Sequence, residues 1–206
     1  MDPMKNVAVF EDSARAFIEL LERITPAQWE LPGLGVWTVR SLAGHTSRAI
    51  TTVSEYLSNP APGPAECPDA ETYLLGTSSG QRSNDAIAAR GVAAGNSLTE
   101  APGASLTQQL DRVLASIAAQ PVRRVVSVHG GRTIPLAEYL RTRNFELVVH
   151  TMDLSKATGI PHTLPTRSVA DAASLAARVA SRQGSGDTLL LALTGRIPLP
   201  EGFSVV

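Results

Sequence analysis

"RTRNFELVVHTMDLSKATG", residues 141–159, is a helix-length run that closes on a glycine suited to the position just past a helix end. "TIPLAEYL" leads into it, with Pro135 as the entry to the helix. Glu146, His150 and Asp153 fall along one side at intervals of four and three, with "LVV" between the first two. Residues four apart on an α-helix project from the same face. Glu146 and His150 are therefore placed to hold one ion, with Asp153 a turn further on. The same spacing also suits a plain Glu–His hydrogen bond, or a core histidine satisfied by a backbone carbonyl. A third ligand from another element would separate these readings.

Working back along the chain, most of the sequence reads as helix. Over residues 5–24, Phe10, Ala14, Phe17, Leu21 and Ile24 recur at intervals of three and four, an amphipathic pattern. In "ITPAQWE", Thr25 and Gln28 form a potential capping box, Pro26 suits the first helical position, and Trp29 reads as core. "VWTVRSLAGHTSRAITTVSEYL" predicts a second helix capped by Thr38, with Leu42, Ala43, Ile50, Val53 and Leu57 inward and His45 on or beside that stripe. A proline-rich loop spans residues 60–68 and carries Cys67 at an exposed position, and a weaker alanine-rich helix follows over residues 84–94. Ser105 and Gln108 read as a capping box ahead of "LTQQLDRVLASIAAQ", whose Leu106, Leu110, Val113, Leu114 and Ile117 face inward. "VRRVVSV" and "HGGR" predict a β segment and a glycine turn before the closing helix.

The expected architecture is mainly α: a helical bundle over residues 1–164 and a short C-terminal α/β appendage over residues 165–206. In that appendage "SVADAASLAARVASRQG" reads as helix, "DTLLLALTG" as a β run, and "FSVV" as its pairing strand.

Composition narrows the function classes. The chain has 206 residues, 43% of them hydrophobic, enough for a substantial core in one domain or slightly more. Its apolar residues are scattered rather than gathered into the roughly 20-residue span a membrane helix needs. Eighteen Lys and Arg against nineteen Asp and Glu give a net charge of -1, with no basic block to neutralise phosphates, so no nucleic-acid partner is expected. "MDPMKNVAVFEDSARAF" lacks a basic stretch followed by an apolar one, which predicts a cytoplasmic protein. A single cysteine allows neither an internal disulfide nor a multi-cysteine zinc site.

His45 is the natural third ligand, because an imidazole on the apolar side of a bundle helix needs a partner. Two histidines and a glutamate from two facing helices make a three-ligand set of the kind catalytic zinc uses, with a fourth position left for water or substrate.

"VWTVRSLAGHTSRAI" and "LAEYLRTRNFELVVHTMDLSKATG" together resemble the mycothiol-dependent maleylpyruvate isomerase family, within the DinB-like superfamily of metal-binding four-helix bundles. "LLLALTGRIPLP" also looks like the tail of members of that family. The resemblance implies a divalent metal, usually zinc, held by His45, Glu146 and His150. It also implies mycothiol as thiol cosubstrate, acting on a small electrophile. The thiolate is a thiol's reactive form, and a free thiol with a pKa of roughly 8.5 is largely protonated near neutrality. Addition, bond rotation and release would give isomerisation; retention of the adduct would give S-transfer. The family's isomerases carry a larger C-terminal domain that contributes to the active site, whereas only residues 165–206 follow the bundle here.

Other chemistries need the same three ligands: a hydrolase using metal-bound water, or a protein that binds a metal or small molecule without turnover. Around the triad, Asp153 either accepts from the second N–H of His150 or faces water, and Arg143 either contacts a substrate carboxylate or is an ordinary surface charge. Arg141 reads as a surface charge, and Trp37 as packing or a pocket wall. His129, His162 and Arg196 read as exposed, and Cys67 has no neighbouring base to activate it. The protein is expected to be a monomer, or a homodimer through an exposed bundle face.

Overall fold

The computed structural model describes residues 3–60, 63–76 and 81–205. Residues 61 and 62 of the proline-rich loop and Val206 of "FSVV" lie outside them. In chain order the helices are α1 (Pro3–Glu22), α2 (Val39–Leu57), α3 (Ala70–Leu75), α4 (Gln81–Asn96), α5 (Pro102–Ala118), α6 (Leu136–Thr158), α7 (Thr166–Arg182) and α8 (Gly186–Leu193). Between α5 and α6 lies an antiparallel pair, β1 (Val125–Ser127) and β2 (Thr133–Pro135), registered Val126 opposite Ile134. Gly130 and Gly131 turn the chain between the strands at φ 81° and 79°, a region open to glycine at little steric cost. The mainly helical class expected from the sequence holds.

α1, α2, α5 and α6 close around one core, in which Phe10, Phe17, Leu42, Ile50, Leu110, Leu140, Leu147 and Leu154 are all buried. Each such side chain contributes about 2 kcal/mol of hydrophobic stabilisation. α6 is buried on a second side as well, where Phe145 and Val148 meet Leu175 and Val179 of α7 and Leu74 of α3. It ends at Gly159, in the left-handed conformation at φ 72°, whose N–H donates to the Ser155 carbonyl at 2.9 Å. α4 lies against α2 at unusually short range. A Cβ placed on Gly44 would stand 2.1 Å from the Gly95 backbone nitrogen, so this pair of glycines sets how closely the two helices approach.

Several local expectations are corrected. "DTLLLALTG" is not a strand: residues 186–193 form α8, as expected of a leucine and alanine run with no β-branched residue after Thr188. Residues 203–205 are not paired as a strand either; the Val205 carbonyl accepts from Gln183 Nε2 at 3.1 Å. The short sheet precedes α6. α5 starts at Pro102, ahead of the Ser105–Gln108 box, because proline suits the first helical turn. α3 was not anticipated; Asp69 caps it by accepting from the Thr72 N–H at 2.8 Å.

Two residues expected at the surface are buried, both because distant segments supply partners. Cys67 is 2% exposed, and its Sγ accepts from Arg132 Nη2 at 3.0 Å. Arg141 is also buried, paired with Glu138 at 2.7 Å and with Glu71 of α3 at 3.1 Å. That ion-pair group ties α3 to α6.

Candidate metal centre

α2 and α6 pack against each other in the bundle, and His45 lies in the second turn of the first, Glu146 and His150 midway along the second. Thr38 fixes the start of α2 by accepting from the Ser41 N–H at 3.3 Å. Buried Leu42 and Ala49 anchor the helix on either side of His45. On α6, Leu147 and Leu154 go to the core, which leaves Glu146 and His150 turned toward α2.

The two histidines converge on one carboxylate oxygen. Glu146 Oε2 lies 3.4 Å from His45 Nε2 and 3.3 Å from His150 Nε2. One donor atom from each of the three residues falls within a 4.8 Å set, and the imidazole rings stand edge to face with centroids 4.9 Å apart. The side chains of His45, Glu146 and His150 keep 20%, 26% and 15% of their exposure, so the cluster is sheltered yet reachable by a small molecule.

Neighbouring groups set orientation and charge. Asp153 Oδ2 is 3.0 Å from His150 Nδ1, which turns Nε2 toward Glu146. Burial works against the His150 cation, but the hydrogen bonds to Asp153 and Glu146 prevail and raise its pKa to about 9. Burial likewise works against the Glu146 carboxylate. The hydrogen bonds from His150 and His45, with the nearby Arg143 charge, hold it well below its ordinary range all the same. Without an ion the cluster is thus a carboxylate bridging two imidazoles, with His150 protonated near neutrality.

Arg143 Nη2 lies 3.9 Å from Glu146 Oε1, and its guanidinium stacks over the Tyr139 ring at 4.9 Å. Tyr139 is buried and shares a 2.9 Å hydrogen bond with Thr52. Trp37 stacks on His45 with centroids 4.6 Å apart, and its indole N–H donates to the Ala88 carbonyl of α4 at 3.1 Å. It both packs and walls the site.

The structure thus brings together His45, Glu146, His150, Asp153, Arg143 and Trp37. His129, His162 and Arg196 are exposed, and Cys67 and Arg141 are engaged elsewhere. Tyr139, which carries the Arg143 guanidinium, was missed by the sequence reading; its position seven residues ahead of Glu146 on one helix was the available signal. The donor set fits a divalent ion of intermediate softness: two imidazole nitrogens and one carboxylate, with a hydrogen-bond acceptor behind one histidine.

A helical bundle with a His–Glu–His cluster across two facing helices defines a candidate metal-binding protein. The family model for the mycothiol maleylpyruvate isomerase N-terminal domain matches residues 10–155, and the chain belongs to that family. The match spans all three donors and Asp153. No curated protein and no solved structure matches the chain. Among the described residues no helix is long and apolar enough to cross a membrane.

Proposed function

We propose that His45 Nε2, one oxygen of Glu146 and His150 Nε2 hold a divalent ion, zinc, and that the protein is a cytoplasmic, mycothiol-dependent isomerase or S-transferase acting on a small electrophile. The observation that carries this reading is the convergence of three donors from α2 and α6 within 4.8 Å, in a chain of this family. A zinc ion so held supplies the positive charge that keeps a thiol in its reactive thiolate form near neutral pH.

The remaining work falls to the chain's own groups. Asp153 accepts from His150 Nδ1 and so commits Nε2 to the centre. Trp37, held by the Ala88 carbonyl, presses on the His45 ring and limits its rotation. Arg143 keeps a positive charge beside Glu146 and leaves Glu146 ionised as a ligand. The partial exposure of the three donors admits both the thiol and an electrophile from solvent. All these residues lie within residues 1–164, which we take as the metal-binding unit, with residues 165–206 appended to it.

The test is metal content by elemental mass spectrometry on untagged protein, beside His45→Ala and His150→Ala. Near-stoichiometric zinc in the parent, lost in both variants, is expected, together with mycothiol-dependent turnover of maleylpyruvate or a related electrophile. A well-folded parent that neither retains nor takes up zinc would remove the basis of the proposal.

A further inference from the structure

α8 and the segment that follows it leave a run of apolar side chains uncovered. α8 rests on α7, and Thr188, Leu189 and Ala192 are half-buried along one side of it. The other side carries Leu190 and Leu193, 64% and 74% exposed, with Leu191 beside them. Gly195, at φ 73°, ends the helix, and the Arg196 N–H closes it by donating to the Leu191 carbonyl at 2.8 Å. Ile197 and Leu199 stand exposed beyond it, as does every residue from Leu193 to Gly202. These five apolar side chains present roughly 450 Å² to solvent, the size of the largest patch a monomer ordinarily shows.

The charges on this surface stand at its two ends. Between Gly186 and Pro200 only Asp187 and Arg196 are ionisable, the first in the opening turn of α8 and the second just past its end. Neither makes an ion pair among the described residues; Arg196 donates from Nη1 to the Thr194 carbonyl at 3.1 Å. Asp187, Leu190 and Leu193 recur at intervals of three and so share a helix face. A second α8 laid antiparallel on that face about a twofold axis sets Leu190 of each copy against Leu193 of the other. The same register sets Asp187 of each copy against Arg196 of the other, so one placement serves both the apolar and the charged positions. Parallel pairing would oppose like charges at both ends. A lipid surface fits less well, because interfacial helices are rich in lysine and arginine, and here one acid offsets one arginine.

We propose that α8 and the segment to Gly202 form a dimerisation surface, and that its occupant is the same surface of a second copy of this chain. α8 alone is too small for the about 800 Å² that a standard interface takes from each partner, so the exposed residues 194–202 join it. The area then falls at the small end of specific interfaces, and monomer and dimer exchange at micromolar concentrations. The surface belongs to residues 165–206 and contains none of His45, Glu146 and His150.

Sedimentation velocity on the full chain, from low micromolar to several hundred micromolar, tests this. The mass should rise with concentration from 21.7 kDa toward twice that value and stop there. Leu193→Glu should keep the chain monomeric throughout. Asp187→Arg or Arg196→Asp alone opposes like charges at both ends of the twofold interface and should weaken association about tenfold. The double variant Asp187→Arg/Arg196→Asp should restore it. A mass that stays at 21.7 kDa at the highest concentration, or that climbs past the dimer, would overturn the proposal. So would undiminished association in Leu193→Glu, or no recovery in the double variant, each folded by circular dichroism. Zinc content should be the same in every variant, so the dimer and the metal centre stand or fall separately.

Discussion

Loading the centre with zinc should displace a proton, and the geometry says from where. In the ion-free protein His150 donates to Asp153 at 3.0 Å and faces Glu146 at 3.3 Å, and these contacts raise its pKa to about 9 against the opposing effect of burial. An ion can use His150 Nε2 only after that nitrogen has lost its proton. Near pH 7 the competition amounts to roughly two logarithmic units, or about 3 kcal/mol withheld from the apparent affinity. Affinity should therefore climb about tenfold per pH unit up to roughly pH 9 and then level, with close to one proton released per ion near neutrality. Competition against a chromophoric chelator, corrected for the chelator's own protonation, gives the affinity. Calorimetry in buffers of different protonation enthalpy gives the proton count. Asp153→Asn should start the plateau at lower pH, because the largest support for the proton is gone. It should also lower the plateau about 10- to 100-fold through loss of the acceptor behind the ligand. An affinity flat across this range with no proton release, or a profile Asp153→Asn leaves unchanged, would refute the reasoning.

The same group ties stability of the ion-free protein to pH. His150 has a folded-state pKa above its ordinary 6.5, so its contribution is fully present below about 6.5 and is lost as pH rises through about 9; the urea midpoint should fall over that window and stop falling in His150→Ala. Glu71→Ala strips the buried Arg141 guanidinium of one of its two carboxylates, and equilibrium unfolding in urea should show a loss of about 3 kcal/mol or more. Gly44→Ala forces a methyl to within 2.1 Å of the Gly95 nitrogen. α4 must then move away from α2 at a cost of about 1–3 kcal/mol, and the Trp37 hydrogen bond to Ala88 loosens with it, read as a shift in tryptophan emission.

The parts of this molecule legible in sequence are those governed by short-range periodicity. α6 announces itself through the Glu146–His150 spacing and the closing Gly159, and α2 through Thr38 and its apolar stripe. That His45 could meet Glu146 and His150 followed from its place on a facing helix, and the structure puts the three together. What stayed hidden depends on partners remote along the chain. Arg141 looks like a surface charge until Glu71, 70 residues away, comes to meet it, and Cys67 looks like a loop residue until Arg132 covers it. The Trp37–His45 stack joins residues only eight apart, yet it requires the loop before α2 to fold back onto the helix, which helical periodicity does not report. α8 failed for another reason: a short apolar run such as "LLLAL" has no period, and propensity had to arbitrate between helix and strand.

α6 is occupied on nearly every side. Leu140, Leu147 and Leu154 fill the main core, Phe145 and Val148 the second one, Arg141 and Glu138 the charge group with α3, and Glu146, His150 and Asp153 the remaining face. Almost any replacement along it disturbs packing or the centre, which makes it the slowest-drifting segment to be expected among descendants of this chain. Substitution has freer ground in the segment before α2, where Leu31, Leu34 and Val36 stand exposed next to Trp37, the residue that walls the site. Heritable variation should therefore collect at the rim contributed by that loop, while the helix that carries Glu146 and His150 stays nearly fixed.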